Sequence, residues 1–137
     1  MIKFKAPSGA NVEIAIVEIG ISWRLNKVVM AALGAGGFSK IFNAIPKEKN
    51  IDVMQVLEAS PIIDALISVL TSEDVEEYVW QVLERCLYNG QKITRETFDP
   101  EKNRGDFIIV ASRALWENVR PFWLPLISQF SETKKAI

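Results

Sequence analysis

Residues Glu84–Trp123 read ERCLYNGQKITRETFDPEKNRGDFIIVASRALWENVRPFW. This stretch joins the end of one amphipathic helix to another through a polar loop, and it closes on proline, phenylalanine and tryptophan. It holds the only cysteine of the chain and two of its four tryptophans. No catalytic constellation occurs in it or elsewhere in the sequence. The residues alone therefore indicate a small, mostly helical binding protein.

The loop in this stretch separates two helical patterns. Upstream of it, Val75, Val79, Val82 and Cys86 follow helical spacing. The pair Asn89-Gly90 is predicted to close that helix with a left-handed turn, because glycine and asparagine adopt positive φ more readily than other residues. The polar loop is then expected to begin directly after this stop.

Downstream of the loop, Asp99 is expected to cap a new helix with Pro100 in its first turn. The stripe from Phe107 to Asn118 is the clearest helical pattern in the chain. Pro121 is predicted to end or kink that helix, because proline lacks the amide hydrogen that a helix interior uses. Residues 122–130 are expected to add a last turn or two.

The N-terminal residues alternate between apolar and polar side chains, which is the period of a β-strand. Ile2 and Phe4 form one such run and Val12 and Ile14 belong to a second. Between them, Pro7–Asn11 has turn chemistry. A lone hairpin is marginal in water, so this one must pack against another element.

The other helical segments are marked by residues that begin or end helices. Serine, threonine and aspartate cap the first turn well, whereas glycine and proline are disfavoured inside a helix. The predicted segments are Ser22–Leu33 ended by Gly34–Gly37, Phe38–Ile45 ended by Pro46, a helix capped by Asp52, a helix starting at Ser60-Pro61, and a helix capped by Thr71 or Ser72.

These elements predict a mainly α fold: a single-domain helical bundle with a small N-terminal β-hairpin. A chain of 137 residues is one domain by length and long enough for a real core. The expected division is a hairpin over residues 1–21, a helical region over 22–130 and a frayed polar tail over 131–137.

Composition excludes several classes of function. The chain has 16 Lys+Arg against 17 Asp+Glu, so it lacks the basic excess of proteins that bind nucleic acid or acidic membranes. It has no histidine, the commonest general base and metal ligand, and one cysteine cannot form an intramolecular disulfide. We therefore expect no enzyme activity, no cofactor and no metal, in a reducing intracellular compartment.

Three features suggest a site, and each has a simpler explanation. The Gly34–Gly37 run lacks the third glycine of a dinucleotide-binding loop and follows a helix, so an interhelical loop is favoured. The acidic residues within Glu73–Glu77 lie in a first helical turn, where the helix dipole favours them. Cys86 follows Arg85, which could lower its pKa, but it lies on the apolar helix face and is expected in the core.

Asn118 and the aromatic residues near the C-terminus leave two readings open. Asn118 falls on the apolar side of its helix and needs hydrogen-bond partners if buried. Capping carbonyls freed by Pro121, or tying the helix to the loop after Asn89, is favoured over contact with a partner protein. The aromatic residues could complete the core or form an interface. The candidates for partner binding are Trp116, Phe122, Trp123 and Phe130.

Short motifs in the same order along nearly the whole chain resemble those of tail assembly chaperones from long-tailed bacteriophages. FKAPSGANVEI at Phe4–Ile14 is similar to the family's N-terminal segment, and Ile21-Ser22-Trp23 to its tryptophan-containing helix start. CLYNGQKIT at Cys86–Thr94, followed by Phe98, and NVRPF at Asn118–Phe122 complete the set. The resemblance gives structural roles to Cys86, Tyr88, Asn89, Gly90, Phe98, Asn118 and Pro121.

This resemblance implies a mainly helical, non-enzymatic chaperone. Such a protein coats the tape measure protein, a long helical polypeptide, and keeps it soluble. It recruits tail tube subunits, in many relatives through a longer form made by ribosomal frameshifting, until polymerisation displaces it. Self-association into rings or spirals is a further expectation. The implied location is the host cytoplasm and not the mature virion.

Two other classes of function stay open from the residues. A small cytoplasmic adaptor or regulatory subunit of unrelated lineage would share the apolar helices and the lack of catalytic residues. Gene context separates it from a tail chaperone, which requires a tail tube gene upstream and a very long gene downstream. A cofactor-dependent enzyme ranks last, and it would require a thermal shift when its cofactor is added.

Overall fold

The structure begins with the β-hairpin that the alternating N-terminal residues predict. In this computed structural model, which describes residues 1–44 and 60–135, strands β1 (Ile2–Lys5) and β2 (Asn11–Ile14) pair antiparallel. In β2, Val12 and Ile14 are buried, so the hairpin packs against the rest of the protein as its marginal intrinsic stability requires.

The hairpin is half of a four-stranded antiparallel sheet with the order β1-β2-β3-β4. Strands β3 (Leu87–Tyr88) and β4 (Gln91–Lys92) form a second hairpin, and β3 pairs with β2. The predicted helix stop at Asn89-Gly90 is therefore wrong. These residues have φ values of 52° and 77° and form a two-residue hairpin turn, which requires positive φ at both positions. The same backbone preference serves a helix stop, so the dipeptide alone did not separate the two structures.

Replacement of the turn glycine tests this conformation. We expect Gly90→Ala to lower the free energy of unfolding by about 1 kcal/mol, because an alanine at φ 77° is strained. A Cβ added there meets no atom of the described residues within 4 Å, so the cost is conformational and not steric. The matched control is Gly105→Ala, at φ −65° and also in open space, which should be neutral or slightly stabilising in urea denaturation. Equal costs at the two positions would contradict the turn.

Most of the remaining described residues are helical, which confirms the mainly α fold class. The core lies among helices α1, α2, α3 and α5, which pack on one another, and α5 also packs against β2. The helices are α1 (Ile19–Ala44), α2 (Ser60–Val69), α3 (Glu73–Leu83), α4 (Glu101–Arg104) and α5 (Phe107–Lys135). Fully buried side chains include Val12, Ile14, Leu25, Leu66, Leu83, Ile93, Leu115 and Trp116.

Helix α1 begins earlier than the sequence predicts and is interrupted at Gly34. It starts at Ile19, so Ser22 lies inside the first turn, where its hydroxyl donates to the Glu18 carbonyl at 3.2 Å. Gly34 has φ 67° and ψ 174°, which is not helical, so it divides the span Ile19–Ala44 into two helices. The first helix therefore breaks where the glycine run predicts, because glycine adopts positive φ easily. The expected loop at Gly34–Gly37 is shorter than predicted, since helix resumes directly after Gly34.

The starts of the shorter helices follow the sequence closely. Helix α2 begins at Ser60 as predicted, and Ser72 is the residue before α3, although its side chain makes no capping hydrogen bond. Pro100, instead of Asp99, directly precedes α4. The helix expected after Asp52 lies outside the described residues.

Helix α5 passes through Pro121 and Pro125, so the predicted end or kink at Pro121 does not stop it. Residues 131–135 continue the helix where composition predicts a frayed tail. An interior proline costs about 3 kcal/mol. The burial of Trp116 before Pro121 and of Trp123 after it offsets this cost, because tertiary packing supplies most helix stability in proteins.

Candidate functional site

The buried carboxylate of Asp106 joins the turn between β1 and β2 to the hairpin formed by β3 and β4. Asp106 is only 1% exposed and directly precedes α5. Its Oδ1 accepts a hydrogen bond from the backbone N–H of Ser8 at 3.0 Å, and its Oδ2 accepts from the Ser8 hydroxyl. The same Oδ2 accepts from the Tyr88 hydroxyl at 2.6 Å. Ser8 and Asp106 are 98 residues apart, so this carboxylate closes the fold around the sheet.

The pKa values of this cluster are shifted in opposite directions. Burial alone would raise the pKa of Asp106, but the hydrogen bonds from Ser8 and Tyr88 outweigh it and leave that pKa lowered. The pKa of Tyr88 is raised, first by burial and then by its hydrogen bond to the Asp106 carboxylate. Both shifts favour a neutral tyrosine that donates to a charged carboxylate, which is a strong hydrogen bond.

We expect these shifts to make stability fall at both ends of the pH range. The folded-state pKa of Asp106 is lowered, so its contribution is present above the unfolded value of about 4 and is lost as pH falls through the folded value. The folded-state pKa of Tyr88 is raised, so its contribution is present below about 10 and is lost as pH rises through the folded value.

Urea denaturation of the wild type and Asp106→Asn across pH checks the acid side. The variant should be less stable at neutral pH, and the difference should shrink as the wild-type carboxylate becomes protonated. The matched control is Asp99→Asn, at an exposed position. A difference between wild type and Asp106→Asn that does not change with pH would contradict the assignment.

Residues of the motif Cys86–Thr94, together with Phe98, lie at this junction of the two hairpins. The Asn89 N–H donates to the Asn11 carbonyl at 2.7 Å, and the Asn89 Oδ1 accepts from the Asn11 N–H at 2.9 Å. Phe98 packs edge-to-face on Tyr88, with ring centroids 5.5 Å apart, and on Phe107 at 5.3 Å. These contacts bind the second hairpin to the first hairpin and to the start of α5.

Asn118 ties α5 to the segment that follows β2. Its Oδ1 accepts from the Val17 N–H at 2.8 Å, and its Nδ2 donates to the carbonyls of Ala15 at 3.0 Å and Ala114 at 2.8 Å. The side chain is buried. A structural role thus accounts for the amide. However, two of its three partners lie after β2 and the third is Ala114 of its own helix, so they are neither in the loop after Asn89 nor carbonyls freed by Pro121, as the sequence suggested.

Cys86 lies in the core, beyond the end of α3. Its thiol donates to the Val82 carbonyl at 3.3 Å and accepts from the Ala15 N–H at 3.5 Å. Burial raises the pKa of the Cys86 thiol and outweighs the lowering by that backbone hydrogen bond. The neighbouring Arg85 pairs with the Glu18 carboxylate. A buried thiol with a raised pKa is a poor nucleophile, which supports the core interpretation.

The four predicted partner-binding aromatics fall in different environments. The rings of Trp116 and Trp123 are buried in perpendicular contact, with centroids 5.8 Å apart. Phe122 is partly buried and packs edge-to-face on Trp23 of α1, with centroids 5.2 Å apart. Phe130 belongs to α5, but its side chain lies outside what the structure describes. Among the described members, Phe122 is the best placed to touch a partner, and partner binding stays a prediction for all four.

The sequence interpretation missed an exposed apolar side of α1. Trp23 and Met30 are exposed, whereas Leu25 and Val29 on the same helix are buried. Ser22–Leu33, the helix that the sequence predicted, carries apolar side chains on most of its sides, and the local sequence does not say which of them are covered. This wide distribution was the available signal, because a helix that is apolar on most sides is either buried or carries an interaction surface.

The described residues show neither a metal site nor a membrane-spanning helix. Within residues 1–44 and 60–135, no three His, Cys, Asp or Glu side chains are grouped to hold a metal ion. None of the described helices combines the length and apolar character needed to cross a bilayer.

Comparison with known families decides the broad assignment. A family model for phage tail assembly chaperone proteins matches residues 21–130, which is most of the chain. The chain belongs to the phage tail assembly chaperone family. No curated protein and no solved structure matches it significantly. Membership of a chaperone family implies a non-enzymatic role for this chain.

The family match confirms the resemblance seen in the motifs and shows its extent. It covers the helix start at Ile21-Ser22-Trp23, the motif Cys86–Thr94 and the motif Asn118–Phe122 of this tail assembly chaperone. The N-terminal segment Phe4–Ile14 lies before the match. The structure nevertheless joins that segment to the matched region, because Ser8 in it bonds to Asp106.

Proposed function

We propose that this protein binds the tape measure protein, keeps it soluble and recruits tail tube subunits during tail morphogenesis. The observation that carries the proposal is the family match over residues 21–130. That match favours a tail assembly chaperone over an adaptor of unrelated lineage.

The physical task of such a chaperone fits the surface of this chain. A long helical client exposes apolar stripes before the tail tube covers them, and large exposed apolar patches cause aggregation. A chaperone protects such a stripe by offering apolar side chains of its own, as helix-binding grooves do. Helix α1 exposes Ile19, Trp23 and Met30 to solvent.

The proposal includes the setting in which the protein works. It acts in the host cytoplasm, self-associates along its client and is absent from the mature virion. Tube recruitment runs through a longer frameshifted form. The buried free thiol of Cys86 is compatible with a reducing compartment. Mass spectrometry of purified virions, with the tape measure protein as the positive control, should detect the client and not the chaperone.

Co-expression with the tape measure protein from the same genome tests the main claim. The client should move from the insoluble to the soluble fraction and should elute with the chaperone in size-exclusion chromatography. Added tail tube protein should then enter the complex or displace the chaperone. If the client is no more soluble and no complex elutes, the proposal is wrong.

A further inference from the structure

The N-terminal half of α1 presents large apolar side chains to solvent. Ile19 is 72% exposed, Trp23 is 46% exposed and Met30 is 39% exposed. They are separated by four and seven positions, so they lie along one side of the helix. Aromatic and methionine side chains are enriched in the cores of protein interfaces. Three large apolar side chains in one row distinguish this side of α1 from a surface with isolated apolar residues.

A second helix extends this row into a two-helix surface. Phe122 of α5 packs edge-to-face on Trp23, with ring centroids 5.2 Å apart. The next residue, Trp123, donates its indole Nε1–H to the buried Asn26 Oδ1 at 2.7 Å and links the same two helices. The Trp23 and Phe122 rings are therefore held in place before any partner arrives, which lowers the entropic cost of binding.

The charged side chains beside this row of apolar residues on α1 are basic and can pair with acidic groups of a partner. Arg24 and Lys27 are exposed, and neither forms an ion pair with any residue in the described part of the chain. Helix α1 contains no acidic residue. The carboxylate just before it, Glu18, is already paired with Arg85. Since the whole chain has a net charge of −1, this basic character is local.

We propose that this surface, defined as Ile19, Trp23, Arg24, Lys27 and Met30 of α1 with Phe122 of α5, docks an amphipathic helix of the tape measure protein. The apolar stripe of that helix is bordered by acidic residues. The inference rests on the proposed function and adds the site and the chemistry of the client segment. Trp23 is the anchor, because tryptophan dominates interface energetics, and the two cations set orientation and partner choice.

Substitution of the anchor tests the surface in the full-length chain. Trp23→Ser should weaken binding of the co-expressed tape measure protein by about 30-fold, the loss expected for a hot-spot residue. The matched control is Ile108→Ser on α5, because Ile108 is 47% exposed and lies about 20 Å along the helix from Phe122. Far-ultraviolet circular dichroism checks that both variants are folded.

A charge-reversal double variant tests the same surface without changing any buried apolar side chain. The double variant Arg24→Glu, Lys27→Glu changes exposed positions only and should weaken binding by about tenfold at low salt. High salt should reduce the difference from wild type, because screening removes the new repulsion. The control is Lys92→Glu with Lys102→Glu, two exposed cations elsewhere on the chain, which should bind as wild type does.

The outcomes separate this surface from the proposed function. If wild type and all variants solubilise the client equally, the surface is wrong and the chaperone function stands. If wild type itself fails to bind the client, both proposals are wrong. Vesicles containing phosphatidylserine form a further arm. Binding of wild type to them, lost in Trp23→Ser while client binding persists, would overturn the proposal in favour of a membrane contact.

Discussion

Trp123→Ala is expected to lower the free energy of unfolding by about 4 kcal/mol. The Trp123 ring is almost fully buried and packs against the Trp116 ring. Its removal leaves a large cavity between α1 and α5 and deprives the buried Asn26 amide of the indole N–H that it accepts from. Urea denaturation followed by circular dichroism measures the loss, since Trp123 itself contributes to the fluorescence signal.

Two companion variants separate the causes of this loss. Trp123→Phe keeps an aromatic ring but not the indole N–H, so it should cost about 2 kcal/mol, mostly because the buried Asn26 Oδ1 loses this donor. Trp23→Ala, at a solvent-exposed ring, should cost less than about 1 kcal/mol. An unchanged stability of Trp123→Ala with lost client binding would place Trp123 at an interface, which is the alternative that the sequence left open.

The contrast between these two tryptophans shows a limit of reading helices from sequence. Both Trp23 and Trp123 lie in apolar helical patterns, and only the packing of α1 against α5 determines which ring is covered. The sequence selected the C-terminal aromatics as partner candidates and included Phe122, but it passed over Trp23. Burial is a property of the assembled helices and not of one periodic segment.

Elements with a strong local signal were predicted well. The alternating residues around Val12 gave the first hairpin, and the stripe from Phe107 to Asn118 gave the first part of α5. Strands β3 and β4 have two residues each, too few to show an alternating period. Their only local mark was Asn89-Gly90, which also fits a helix stop. The second hairpin therefore required long-range information, namely its pairing with β2.

The buried Asp106 was not predicted for a related reason. It lies at the end of a polar loop, where an aspartate is ordinary, and its hydrogen-bond donors are 18 and 98 residues away. No spacing rule connects such positions. The motif resemblance grouped Ser8 and Tyr88 in one family pattern, although it assigned no role to the carboxylate that binds both. The two motifs are joined through Asp106, and neither motif contains that residue.

Asn118→Ala is expected to lower the free energy of unfolding by about 3 kcal/mol. The change removes the acceptor for the buried Val17 N–H and the donor to the Ala15 carbonyl. Each backbone group left without a partner costs about 1–3 kcal/mol, and the small cavity adds to this. The loss should appear in urea denaturation. Ser112→Ala on the same helix is a control, because the buried Ser112 hydroxyl has no hydrogen-bond partner among the described residues to lose.

Asn118→Asp then tests which half of the amide matters. The replacement keeps an acceptor for the Val17 N–H, but a charged carboxylate faces the Ala15 and Ala114 carbonyls where the amide donated. Burial and this repulsion should raise the folded-state pKa of the new carboxyl. Its protonated form donates to one of these two carbonyls, so the deficit in unfolding free energy relative to wild type should shrink as pH falls and grow as pH rises through that pKa. A deficit independent of pH would show that the donor half of Asn118 does not hold the segment after β2.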